Sequence, residues 1–196
     1  MPASIIYPSE MTLGDARARY FELNNFGNDG GYDERWIKVK VWHIPIWLPN
    51  TAGRVRAVKL HDLHHVLTEY PTTWRGEAEI SAWEIGTGGV NNYYAGWLLD
   101  LLSIAQGLVV NPRGVYRGFI RGRYSRNLYS REFSDEILKH KVGEYRDHLL
   151  LNTKPASPTA RDVFAFALWI LISIIVYLIA VAPLWIPILL IFIWIL

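Results

Sequence analysis

Residues 59–86 read KLHDLHHVLTEYPTTWRGEAEISAWEIG, and this stretch decides the fold and carries a polar cluster. Its leucines at positions 60, 63 and 67 recur at the spacing of one helix face. The Pro-Thr-Thr sequence that begins at Pro71 interrupts this pattern, and Gly76 leads into a second run. The stretch therefore predicts two helices joined by a short turn, with polar side chains meeting across it.

Three of the six histidines fall within five positions of the first predicted helix. His61 and His65 are four residues apart, so a helix places both imidazoles on one face, where they can reach one ion. Asp62 lies about 100° round the helix from His61, and Glu77 begins the second helix. We predict that His61, Asp62, His65 and Glu77 bind a metal ion; the alternative is a polar helix face that binds nothing.

Two other side chains are candidates for proton transfer beside the predicted metal. His64 lies off the line that joins His61 and His65, which predicts a position at the surface or behind the ligands. Glu84 follows Glu77 by seven residues and shares its helix face, so it either faces substrate, supports the ligands or lies in solvent.

Composition narrows the possible functions. The chain has 196 residues, which fits one domain and an appendage, and its net charge of +2 is too small to suggest a nucleic-acid partner. The absence of cysteine excludes disulfides, thiolate-bound zinc and iron–sulfur clusters. Histidines and carboxylates are then the remaining metal ligands, and such a set suits zinc, iron or manganese.

The last 34 residues, from Val163 to Leu196, contain no charged residue. About 20 residues cross a bilayer core, so we predict a transmembrane helix from Val163 to Pro183. The remaining residues are too few to cross back, and they form a half-hairpin, lie at the interface or contact another membrane protein. The predicted organisation is a helical domain (1–151), a linker rich in Pro, Ser and Thr (152–161) and a membrane anchor (162–196).

The charges before the anchor predict its orientation. The first ten residues lack the basic and apolar regions of a signal peptide, so we expect the domain to remain in the cytoplasm. Positive residues flank the cytoplasmic ends of membrane helices, which predicts an inner-membrane protein with its domain on the cytoplasmic side. The basic residues before the span are Lys139, Lys141, Arg146, Lys154 and Arg161.

The rest of the chain predicts a mainly α fold with a small β-hairpin or edge strand. A helix over 12–24 follows a Thr12 cap, partial alternation over 36–48 indicates a strand or hairpin arm, and Ser134 caps a later helix. The apolar run 93–110 predicts a buried helix beside a cavity for a long apolar ligand, since Asp100 near its centre disfavours a membrane span and needs a partner.

Residues 113–124 read RGVYRGFIRGRY, a four-residue repeat that begins after Asn111 and Pro112. A helix of this sequence has one basic face and one apolar face, and its glycines permit close packing. The basic face either binds membrane phosphates or is solvated, and its last arginines could instead bind an anionic substrate or partner. The candidate phosphate-binding residues are Arg113, Arg117, Arg121, Arg123 and Arg126.

The motif H-D-x-x-H, eleven residues and E, which runs from His61 to Glu77, resembles the signature of the coenzyme Q (ubiquinone) biosynthesis protein 4 family. The flanking sequence from WIKVKVWHIPIWLPN to AWEIGTG and the later FIRGRYSRNLY extend the resemblance over about residues 12–150. The resemblance implies a mostly helical, membrane-associated protein with a divalent metal on the four motif residues. The apolar tail lies outside the family core.

The resemblance also implies a function. The family acts on, or positions, the polyprenylated aromatic precursor of ubiquinone; its activity is associated with removing the ring carboxyl and hydroxylating that carbon, and with organising other enzymes of the pathway. We therefore expect a metal-dependent membrane protein of ubiquinone biosynthesis. The alternative is a non-catalytic subunit that binds quinone or lipid and docks through its tail onto a photosynthetic or respiratory membrane complex.

Overall fold

The computed structural model describes the backbone of residues 6–41, 44–153 and 157–195, and the side chains of 39–41, 44–46, 48 and 184–195 lie outside that description. The described chain is mainly helical with one two-stranded antiparallel sheet, as predicted. Its elements in order are α1 (Leu13–Asn24), β1 (Trp36–Val41), β2 (Ile44–Pro49), α2 (Ala52–Thr68), α3 (Trp74–Gly86), α4 (Tyr94–Val110), α5 (Pro112–Arg123), a 3₁₀ helix (Ile137–Lys139), α6 (Val142–His148) and α7 (Ala160–Ile195).

Helices α2 and α3 form the predicted helix–turn–helix. Thr51 caps α2 by accepting a hydrogen bond from the Arg54 amide, and Thr73 caps α3 in the same way. A Cβ atom at Gly76 would lie 1.9 Å from the Pro71 carbonyl oxygen, so this tight turn requires glycine. The turn therefore holds the C-terminal end of α2 beside the N-terminal end of α3.

The predicted helix after Ser134 is broken into two pieces. A 3₁₀ helix precedes α6, and between them Lys141 forms an isolated β-bridge with Thr12. The amide of Leu13 donates to the His140 carbonyl at 2.8 Å, and the amide of Val142 donates to the Met11 carbonyl at 2.9 Å. These hydrogen bonds to the start of α1 satisfy the backbone in an extended conformation, so no continuous helix forms here.

Helix α5 packs closely on α3 through its glycines. A Cβ atom at Gly118 would lie 2.4 Å from the Glu79 carbonyl oxygen, and one at Gly122 would lie 2.3 Å from the Trp83 carbonyl oxygen. Helix α4 packs on α3 through Ile104 and Gly107, where a Cβ atom would lie 2.3 Å from Ala78, and much of its opposite face is exposed. The prediction of a buried helix therefore holds for only one face of α4.

Helix α7 continues through Pro183 to Ile195 without turning back, so the half-hairpin alternative is wrong. Its segment Ala160–Pro183 is long and apolar enough to cross a membrane, by length and composition. Residues 154–156 of the predicted linker lie outside the described residues, and α7 already begins at Ala160, inside that linker. Phe166 and Trp169 pack on the domain.

Two apolar cores enclose the polar cluster. The first core joins α1, α2, α6 and the segment around Leu128, and the second joins α3, α4, α5 and the first half of α7. Leu60, Leu63 and Leu67 of α2 are buried in the first core, as predicted. Because α2 belongs to one core and α3 to the other, their facing side chains lie between the two.

Candidate metal centre

His65 is held in one orientation by the turn between α2 and α3. Its Nδ1 lies 2.8 Å from the carbonyl oxygen of Tyr70, and the Tyr20 ring stacks against its imidazole at a centroid distance of 5.5 Å. A carbonyl oxygen can only accept a hydrogen bond, so Nδ1 carries the hydrogen and Nε2 has a free lone pair when the ring is neutral.

His61 is oriented in the same way by a carboxylate. Its Nδ1 lies 2.9 Å from Oε1 of Glu84, a side chain with no exposed surface. Burial alone would lower the pKa of His61, but the carboxylates of Glu84 and Glu77 outweigh it and hold that pKa well above its usual range. The hydrogen bond assigns the proton to Nδ1 and directs Nε2 to the opposite edge of the ring.

The two Nε2 atoms point toward each other and toward Glu77. They are 3.1 Å apart, and the Glu77 carboxylate lies 3.5 Å from Nε2 of His61 and 3.4 Å from Nε2 of His65. With both Nδ1 positions protonated, two lone pairs would face each other across this gap. A cation, or an additional proton, is needed between them, so the donor set fits a metal ion.

This three-donor group is open on one side. The side chain of His65 is 1% exposed, whereas those of His61 and Glu77 are 21% and 33% exposed. The two histidines belong to α2, and Glu77 lies in the first turn of α3. Three protein ligands with a solvent-facing side are typical of a catalytic metal site, whereas structural zinc sites are closed by four ligands.

Glu84 supports the group from behind. Its Oε1 accepts from His61 Nδ1, His64 Nδ1 at 2.6 Å and the Tyr129 hydroxyl at 2.9 Å. Burial opposes ionisation of Glu84, but the two histidines beside it lower the pKa of its carboxyl well below its usual range. Glu84 therefore contacts His61 on the edge of the ring away from the proposed metal position.

His64 is fully buried and uses both ring nitrogens. Its Nδ1 contacts Glu84, and its Nε2 accepts from the Leu128 amide at 2.9 Å. Burial also lowers the pKa of His64. His64 and Glu84 are the two residues predicted for proton transfer. Neither reaches the open side of the group, since Glu84 contacts the back of His61 and His64 contacts Glu84.

Asp62 does not join the three-donor group. Its carboxylate accepts from the hydroxyl of Tyr20 at 3.3 Å and from that of Tyr32 at 2.6 Å, and the residue is 6% exposed. Burial raises the pKa of Asp62, although the Tyr32 hydroxyl opposes that rise. Of the four predicted ligands, the structure therefore brings only three together. The rotation of about 100° per residue turns Asp62 away from the group and toward α1.

Asp100 is a neighbour of the cluster that the spacing of the motif does not reveal. Ligand atoms of His61, Glu84 and Asp100 all lie within 4.8 Å of one another. One oxygen of Glu84 and one of Asp100 have no hydrogen-bond partner among the described residues. Burial, followed by the charge of Glu84, raises the pKa of Asp100. The signal in the sequence was a single charge inside an apolar helix, which requires a polar neighbour.

The predicted phosphate-binding arginines divide into two groups. Arg121 donates to the Thr68 carbonyl at 3.1 Å and lies over the Tyr70 ring, while Arg123 pairs with Asp162 at 2.9 Å. These two therefore tie α5 to the turn beside the metal centre and to the start of α7. Arg113, Arg117 and Arg126 are exposed.

No protein-family model, curated protein or solved structure matches this chain.

Proposed function

We propose that the chain is a membrane-anchored, metal-dependent protein of ubiquinone biosynthesis. In this proposal His61, His65 and Glu77 hold one divalent ion. The observation that most strongly supports this metal site is the convergence of two imidazole Nε2 atoms whose Nδ1 hydrogens are both engaged elsewhere. A cation between the two Nε2 atoms would explain this arrangement, and the alternative is a second proton on His61, whose pKa is raised by the carboxylates beside it. Metal content distinguishes the two.

Two histidines and one carboxylate form the ligand set of many catalytic zinc sites and of non-haem iron oxygenases. Zinc, iron or manganese would polarise a bound carboxylate or activate water or oxygen at the open side. The contribution of the protein is orientation: Glu84 and the Tyr70 carbonyl fix the two imidazoles. The fully buried His64 and the Tyr129 hydroxyl in turn hold Glu84.

The proposed substrate is the polyprenylated aromatic precursor of ubiquinone, whose apolar chain stays in the bilayer. Helix α7 would keep the domain at the membrane where this substrate is found, on the cytoplasmic side of the inner membrane. Replacing the ring carboxyl by a hydroxyl releases carbon dioxide and takes one oxygen atom from dioxygen. The second oxygen atom leaves as water with two electrons and two protons from an external reductant. Alternatively, the domain positions the precursor for other enzymes of the pathway.

Metal content tests this proposal directly. Gently solubilised wild-type protein should contain about one metal ion per chain, and Glu77→Gln and His65→Ala should lose most of it. Glu79→Gln is the matched control, because Glu79 lies on the same helix but contacts Asn111 instead of the histidines. Wild-type protein that stays free of zinc, iron and manganese after exposure to each would contradict the proposal.

The substrate class is tested on the same samples by extracting bound lipids. An isoprenoid quinone or a carboxylated quinone precursor should accompany the wild-type protein. Bound phospholipid alone, together with unchanged ubiquinone levels in cells that lack the protein, would contradict the ubiquinone role while leaving the metal centre intact.

A second candidate function rests on the length of α7. Its 36 residues would extend about 54 Å at 1.5 Å per residue, whereas a bilayer core is about 30 Å thick. This excess favours an accessory subunit that binds quinone or lipid and docks on a larger respiratory or photosynthetic membrane complex. Stoichiometric co-purification with such a complex, with no metal bound, would favour this candidate; purification as a lone monomer would count against it.

A further inference from the structure

The outer face of α4 is an apolar stripe that is exposed toward both ends and half-buried at its centre. It consists of positions 94, 98, 102, 105 and 109, which follow the spacing of one helix face. Tyr94, Leu98 and Val109 are 84%, 48% and 85% exposed. The helix contains one charged residue, Asp100, and that residue faces inward and is buried. The stripe is therefore an exposed apolar surface without charge.

This stripe is continuous with the exposed surface of α7. Trp97 of α4 stacks on Trp169 of α7 at a centroid distance of 5.4 Å, and α4 is the domain helix with the most contact to α7. On its outward side α7 exposes further large apolar side chains, among them Phe164, Leu168 and Leu171. The two helices thus present one continuous apolar surface, and the α7 side of it belongs to the candidate membrane span.

The position of α4 relative to the bilayer follows from the point at which the apolar run of α7 begins. Arg123 pairs with Asp162, and from Val163 onward the sequence has no charge. Contact between α7 and the domain extends well past that point, through Trp169 and Ile170. If α7 enters lipid where its charges end, α4 must enter beside it.

We propose that the outer face of α4 lies among lipid acyl chains, so that the domain is partly embedded in the bilayer rather than tethered above it. This inference rests on α7 being the membrane helix of the proposed function. Lipid is the expected neighbour of this face, because the stripe continues an uncharged surface and offers a single polar group, the Tyr94 hydroxyl. The inner face of α4 carries Asp100 beside Glu84 and His61. One helix, about 10 Å across, then separates lipid from the metal centre.

Single-cysteine spin labelling tests the inference on the full chain in liposomes, because the natural sequence contains no cysteine and needs no background removal. Leu98→Cys and Val109→Cys place labels on the outer face of α4. Leu171→Cys on α7 is the membrane reference, and Glu22→Cys, exposed on α1, is the aqueous reference. Collision rates are measured with oxygen, which dissolves in lipid, and with a water-soluble nickel chelate.

We expect the α4 labels to follow the Leu171 label, with oxygen favoured over the chelate several-fold more than at Glu22. Chelate-accessible α4 labels would overturn the inference, and the Leu171 label then shows whether the membrane anchor also fails. Labels at positions 98 and 109 that are shielded from both reagents would overturn it too, because a protein partner rather than lipid would cover α4. Metal content of each labelled protein is measured separately, so a failure of the metal proposal is distinguishable.

Discussion

At the scale of single residues, the hydrogen bonds behind His61 decide what the centre can bind. Glu84→Gln keeps an oxygen acceptor for the histidines but removes the charge. Changes of this kind behind a metal ligand cost about 10- to 100-fold in metal affinity, and we expect a loss in that range. Metal titration against a competing chelator measures it, with Glu79→Gln as the control on the same helix. Unchanged affinity in Glu84→Gln would show that Glu84 does not orient His61.

The raised pKa of His61 predicts a pH dependence of metal binding. A proton and a metal ion compete for Nε2, so affinity should rise with pH until the pH exceeds the pKa of His61 and then become constant. Near neutral pH, binding should release about one proton, measured by calorimetry in buffers of different ionisation enthalpy. Because Glu84 is the larger of the two carboxylate influences that raise the pKa of His61, Glu84→Gln should move the inflection to lower pH. Binding without proton release in the wild-type protein would contradict the prediction.

Asp62 should affect stability and not metal content. Tyr32→Phe removes a donor from the buried carboxylate, and leaving a buried polar group short of a partner costs about 1–3 kcal/mol. We expect a decrease of that size in the free energy of unfolding, measured with denaturant in mild detergent. Asp62→Asn should likewise retain its metal. A loss of metal in Asp62→Asn would instead identify Asp62 as a ligand, as the sequence motif predicts.

The contrast between His65 and Asp62 shows what the sequence could predict at this scale. The four-residue spacing of His61 and His65 is a local property of a helix, and the structure brings their nitrogens to 3.1 Å. The partners of Asp62 are 42 and 30 residues away in the sequence. Tertiary packing of α1 against α2 determines those contacts, and no local periodicity contains that information.

At the scale of elements, the glycine repeat of α5 sets the distance between α3 and α5. Gly118→Ala would place a Cβ atom 2.4 Å from a backbone oxygen of α3, and overpacking of this kind costs typically about 1–3 kcal/mol. Gly53→Ala in α2 is the matched control, since no atom lies within 4 Å of the added Cβ. That control should stabilise the protein by up to about 1 kcal/mol. Equal stability of the two variants, measured by thermal unfolding, would contradict the close packing.

The same helix shows why its role could be only partly predicted. The repeat correctly indicates an amphipathic helix with a small-residue stripe, because both features follow from spacing within twelve residues. The sequence does not reveal that Arg121 donates to the Thr68 carbonyl or that Arg123 pairs with Asp162. These contacts depend on how α5 lies against α2 and α7, so the arginines could not be divided between structural and exposed roles in advance.

At the scale of the whole molecule, the anchor and the domain share a core. Phe166 contacts Phe119 at a centroid distance of 5.4 Å, and Ser173 is fully buried. The boundary predicted from composition separates a linker from an apolar run, but composition cannot show that the start of this run, through Ile170, packs on the domain. Removing α7 should therefore damage the domain itself as well as its attachment to the membrane.

Two truncations separate these two roles of α7. A chain that ends at residue 159 exposes the apolar surface that Phe166 and Trp169 cover, so we expect it to aggregate. A chain that ends at residue 175 retains those contacts but keeps only 16 of the 36 helix residues, fewer than the roughly 20 that cross a bilayer. It should stay folded, bind metal like the full chain and become extractable from membranes by alkaline carbonate. A soluble, metal-binding protein that ends at residue 159 would show that the domain does not depend on α7. A protein that ends at residue 175 and resists extraction by carbonate would show that the first half of α7 is sufficient for insertion.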